Sequence, residues 1–160
     1  MQYVSPEQRE AWRRQGSGEP RGSPEALDAF FDLRNRILDR LADAEVGILM
    51  GTDSPQLYNV PGFALHREIA YMERAGMTRW QILRSGTTEV AEYVSGHLGL
   101  DGAFGSVRPG NRADLVLLEA DPLEDLDNLT RRVGVMVRGQ WVPAVEIEEG
   151  LARLAEKHAR

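Results

Sequence analysis

The 160-residue chain has no cysteine. That excludes a disulfide framework, a thiolate nucleophile and any thiolate metal site, so a zinc-type centre must rely on histidine and carboxylates. Histidine is itself scarce: there are three, His66, His97 and His158. No apolar run approaches the roughly 20 residues needed to span a bilayer. Positive charge is in deficit, with 19 Lys and Arg against 25 Asp and Glu, a net charge of -6 and a pI near 5.1. Nucleic-acid footprints are usually basic, and anionic membranes attract basic surfaces, so neither is an expected partner. The opening stretch MQYVSPEQREAWRRQG lacks the apolar core of an export signal. With the missing cysteines, this makes a cytoplasmic location the expectation.

What is present suffices for a core, since 42% of residues are apolar. Ser5, Pro6 and Gln8 predict a capped short helix, followed at 16–23 by the Gly/Ser/Pro-rich break GSGEPRGS. Ser23-Pro24 opens a longer helix in which Leu27, Phe30, Phe31, Ile37, Leu38 and Leu41 recur at three- and four-residue steps, giving one face to bury. VGILMGT is apolar and does not alternate, the pattern of a strand buried on both faces in a parallel sheet. Helix followed by buried strand is the beat of an α/β fold. FALHREIAYMERAG reads as a helix stopped by Gly76, and Thr78 with Gln81 forms a capping box for the next one. TEVAEYVSG gives one more short helix.

The texture changes near residue 98. FGSVRPGNRADLVLLEADP predicts a short strand, a Pro-Gly turn and a stronger strand over 114–118. VGVMVRGQWV predicts a hairpin turning at Arg138-Gly139, with Val133, Val135 and Val137 alternating as in a half-buried strand. Ile147, Leu151, Leu154 and Ala155 mark an amphipathic C-terminal helix. The resulting divisions are 1–22, 23–97, 98–143 and 144–160.

Two side chains are candidates for chemistry. Asp53 closes the apolar run GILMGTDSP, and in parallel α/β sheets functional groups sit at the carboxyl ends of strands. A carboxylate there can ligate a cation or take a proton from an attacking water. On spacing alone, a turn-capping role shared with Thr52 and Ser54 is the stronger reading. His66, early in the following helix, is a candidate for substrate contact. Its plainer reading is a helix-surface or hydrogen-bonded histidine, and HRE lacks the second histidine of a zincin motif. GSVRPGNRADLV lacks the Gly-Lys-Ser/Thr ending of a phosphate loop, and LEADPLEDLD does not match calcium-loop spacing, so these read as a turn and a solvated connector.

Taken in order, LMGTDSP, PGFALHREIAYMERAGMT, FGSVRPGNRADLVLLEADPLEDL and VMVRGQWV resemble the C-terminal end of metal-dependent amidohydrolases, in the branch with imidazolonepropionase-like and prolidase-like members. The resemblance runs from about residue 23 to the end. It implies the last strand-helix units of a (β/α)8 barrel over 23–97 and the C-terminal strands of a small β-sandwich over 98–143, incomplete as a single chain. It implies a divalent metal, with zinc the natural choice, in the intact enzyme. Asp53 would then be the strand-eight metal ligand and catalytic proton shuttle, and His66 a substrate-binding pocket residue.

The family's metal site also needs a His-x-His pair, a bridging Lys or acid and two further histidines on earlier strands. None of these is present, and all three histidines follow Asp53. A barrel of roughly 250 residues does not fit in this length. The expectation is therefore a hydrolase segment acting on carbon–nitrogen bonds of a small amide, cyclic amide or dipeptide, and inactive alone. Its expected partner is a complementary chain or a second copy. The alternatives are one chain of a split amidohydrolase and a non-catalytic docking subunit.

Overall fold

The computed structural model describes residues 1–16 and 22–159, so most of the break expected at 16–23 lies outside the described residues. Helix α1 (Pro6–Gly16) begins where Ser5 Oγ accepts the Gln8 backbone N–H at 3.2 Å. Helix α2 (Pro24–Asp43) begins in the same way, with Ser23 Oγ accepting from Ala26 at 3.3 Å. These caps satisfy amides that have no partner inside the helix. Helices α3 (Ala64–Arg74), α4 (Arg79–Ser85) and α5 (Thr88–Gly96) follow. The Thr78–Gln81 capping box is present, with Thr78 N–H donating to Gln81 Oε1 at 2.9 Å and Gln81 N–H to Thr78 Oγ1 at 3.3 Å. Gly76 stops α3 at φ 99, where a Cβ would collide with the Asp39 carboxylate.

Ala42, Ile69, Met72, Met77, Ile82 and Leu126 form the core, with Leu38, Ile48, Met50, Leu83 and Leu129 packed against it. Of α2, only the Leu38–Ala42 side reaches this core. Phe30, Phe31, Ile37 and Leu41, expected on a buried face, are exposed; Phe31, Ile37 and Leu41 line an open groove beside α3 and do not join the core. The segment 46–53 also departs from expectation. Ile48 and Met50 turn inward and Leu49 outward, a strand-like alternation, yet the segment joins no sheet. Its Met50 N–H donates to Ser85 O at 2.9 Å. A strand is defined by its neighbour, and among the described residues no other strand runs beside it.

All described strands lie in one antiparallel sheet of order β1-β2-β3: β1 (Leu115–Leu118), β2 (Arg132–Val137) and β3 (Gln140–Pro143). The short strand expected before Pro109 is a loop instead, tied by the Arg112 N–H to Ala103 O at 2.7 Å and by the Arg112 guanidinium over Phe104. The hairpin turns at Arg138 and Gly139, both at positive φ, as a two-residue turn between twisted strands requires. A short 3-10 helix (Leu126–Thr130) links β1 to β2, and α6 (Ala144–His158) follows β3. Val133 and Val137 stay exposed, since no second sheet covers their face among the described residues. The architecture is thus α/β with a small three-stranded sheet, consistent with a partial fold of the kind expected.

The sheet's opening corner carries a pH-sensitive tie. The Asp114 carboxylate accepts the Arg138 backbone N–H at 2.7 Å and the Arg112 side chain, while Gly139 N–H donates to Ala113 O. The backbone N–H of Arg138, then the Arg112 hydrogen bond, holds this carboxyl below the usual aspartate range. A lowered folded-state pKa contributes stability above the unfolded-state value, and that contribution is lost as pH falls through the folded value. Asp114→Asn is therefore expected to lower Tm at neutral pH, with the difference from the parent closing below about pH 4. Thermal melts of both proteins across pH check this, and a pH-independent difference would refute it.

Candidate functional site

Asp53 ends the inward-turning segment and begins a loop that runs to α3. Its backbone is left-handed, at φ 51, a conformation that Asp tolerates better than most residues. The turn around it is held by other groups. Thr52 Oγ1 donates to Ser54 Oγ at 3.0 Å and accepts the Ser54 backbone N–H at 3.3 Å. Gln56 N–H donates to Asp53 O at 2.9 Å, and the Asn59 side-chain amide donates to Thr52 O at 2.7 Å. The Asp53 carboxylate makes no hydrogen bond or ion pair with the described residues, and the residue is exposed. Turn capping therefore does not account for its side chain.

His66 is half-buried elsewhere. It lines a cavity of about 50 Å³ between α3 and the 3-10 helix, with Ile69, Glu73, Leu126, Asp127 and Thr130, and Asp53 is not part of that lining. No described contact or cavity joins the two candidates. His97 stacks on Tyr93 with ring centroids 5.2 Å apart, and His158 lies at the end of α6.

Two neighbourhoods were missed in the sequence. One surrounds Tyr58 and Asn59, which tie the Asp53 loop to other parts of the chain; the only signal was a polar-aromatic pair between Pro55 and Pro61. The other is a groove of about 420 Å³ between α2 and α3, where Glu68 and Arg34 sit among Phe31, Leu38, Tyr71 and Met72. Burial pushes the Glu68 carboxyl above the usual glutamate range, and the Arg34 guanidinium opposes this.

A family model, described as the amidohydrolase family, matches residues 33–142. The chain belongs to the amidohydrolase family. A solved structure titled bottromycin amidohydrolase is similar to it, with a TM-score of 0.78 and 28% sequence identity over 98% of this chain. The alignment covers 34% of that amidohydrolase, so this chain spans about a third of the relative's length. Among curated proteins, none matches.

Amidohydrolases generally use divalent metals. A divalent ion of this kind is held by several converging imidazole and carboxylate donors. Among the described residues no group of three or more His, Asp or Glu side chains is placed to hold one. Asp53 offers one carboxylate, and the three histidines point into separate surroundings. This donor set does not fit the metal by itself. Nor is any described helix long and apolar enough to cross a membrane.

Proposed function

We propose that this chain is the C-terminal part of an amidohydrolase acting on a carbon–nitrogen bond of a small amide, cyclic amide or dipeptide, and that Asp53 is its proton-transferring group. The observation carrying this reading is the Asp53 carboxylate, exposed beyond an inward-turning segment and committed to no internal bond. The motif order shared with imidazolonepropionase-like and prolidase-like members supports the carbon–nitrogen class. A carboxylate so placed accepts a proton from the attacking water and passes it to the leaving nitrogen. The imidazoles needed for a divalent ion, zinc in this reading, come from protein outside these residues, either in a longer polypeptide or in a complementary chain. Alone, the chain does not hydrolyse substrate.

The test supplies the histidine-bearing part of an amidohydrolase barrel, fused to this chain or co-expressed with it. Bound metal and hydrolysis of cyclic amides and dipeptides are then measured for each part and for the combination. Activity and metal retention are expected only in the combination. Stoichiometric metal with turnover by the chain alone would overturn the reading. A stable but inert, metal-free combination would instead favour a non-catalytic docking subunit, the alternative to which the uncovered apolar side of α2 lends weight.

A further inference from the structure

Helix α1 lies outside the segment matched by the family model, yet one of its side chains, Trp12, is buried. Trp12 on α1 is 2% exposed, although the surrounding helix is largely solvated. What buries its ring is partly the loop that follows Asp53. Trp12 and Tyr58 meet with ring centroids 5.7 Å apart, tilted by 55°, and the Tyr58 hydroxyl donates to Trp12 O at 3.4 Å. Before the helix, Tyr3 stacks on Phe63 at 4.8 Å. The contact surface therefore grips the loop near both ends of its second half.

From Tyr58 the connection runs inward to Asp53. Arg67 donates to Tyr58 O and Asn59 Oδ1, both at 2.9 Å, and Asn59 in turn donates to Thr52 O, the carbonyl preceding Asp53. Tyr58 and Asp53 both hold left-handed backbone angles, at φ 60 and 51. Such angles are uphill for a residue with a side chain, so they persist where surrounding contacts fix them. At its other side α1 is tied to the rest of the chain by the Arg9 guanidinium, which donates to His158 O at the end of α6 at 2.8 Å. A cation bonded to a helix's last carbonyls also meets the negative end of its dipole.

We infer that α1 sets the position of Asp53, with Trp12 and Tyr58 as positioning residues that clamp the loop 52–63 against the body of the chain. This rests on the proposed role of Asp53 for its functional meaning, but the mechanical coupling is testable without it. A loop carrying a proton-transferring carboxylate must hold that group within a fraction of an ångström of its reacting position, and unsupported surface loops do not.

The test is amide hydrogen exchange on the full chain. The reporters are the backbone amides of Gln56, Asn59 and Phe63, each bonded within the loop. Trp12→Ala is expected to speed their exchange by about tenfold or more, while the β2–β3 amides change by less than about twofold. Trp12→Phe, which keeps an aromatic ring, is expected to restore most of the protection. Tyr58→Ala removes the same contact from the exposed side and serves if Trp12→Ala fails to fold. Unchanged loop exchange in Trp12→Ala or Tyr58→Ala, equal acceleration across the sheet, or no rescue by Phe would overturn the inference. Asp53→Asn leaves the clamp intact and is expected to leave these rates unaltered. If hydrolysis fails in the completed enzyme while the exchange pattern holds, the functional reading falls and the clamp stands.

Discussion

In an amidohydrolase completed with its histidines, Asp53→Asn is expected to reduce hydrolysis by about 10²- to 10⁴-fold, the range that a positioned acid-base group contributes. Asparagine has the shape of aspartate and tolerates the same left-handed backbone, so the turn at φ 51 survives. The turn's bonds come from Thr52, Ser54, Gln56 and Asn59, none of which uses the Asp53 carboxylate. The variant therefore keeps the turn and loses the carboxylate's charge, and with it the ability to take and return a proton and the strength of a metal ligand, so bound metal is measured alongside activity. Steady-state assays beside unchanged circular dichroism check this. A loss smaller than about tenfold would show that another group moves the proton.

The local elements were legible because their signals are local. Ser5, Ser23 and Thr78 cap helices through their own hydroxyls. Gly76 and Gly139 adopt the positive φ that their positions demanded. A cap or a turn is decided within four or five residues, so nothing distant had to be known.

Less could be read where the outcome depends on what lies alongside. VGILMGT has the composition of a buried strand, but strand pairing is a property of two segments, and its inward-outward alternation is realised here without a neighbour. The α2 pattern marked Phe30, Phe31, Ile37 and Leu41 for burial, and the pattern is real although the residues are exposed. Such a pattern marks an apolar stripe along a helix, without saying whether anything covers it. At the candidate site the same limit applies. Asp53 was visible as a carboxylate after an apolar run. Its dependence on Trp12 and Tyr58, 46 residues apart in the chain, was not. Aromatic contacts between a helix and a distant loop leave no periodic trace.

Ile82→Ala is expected to abolish cooperative unfolding of the isolated chain. Ile82 is fully buried on α4, among Met72, Met77, Ile69 and Leu126. Truncating such a side chain removes its transfer free energy and leaves a cavity, a loss of about 2–5 kcal/mol. That loss falls on a small reserve. The chain exposes 11542 Å² of surface, whereas a compact monomer of its mass exposes about 8,000 Å². The difference is area that an ordinary domain would have removed from water, and it includes the exposed side of α2. Hydrophobic burial scales with area, so the parent chain is expected to lie below the usual range of about 5–15 kcal/mol, with a melt that depends on concentration if copies cover one another. Urea titrations followed by circular dichroism are expected to show a weak transition for the parent and a featureless slope for Ile82→Ala. A sharp, concentration-independent transition in the variant would mean that α4 does not organise the core. The same result in the parent would mean that the exposed apolar faces need no cover.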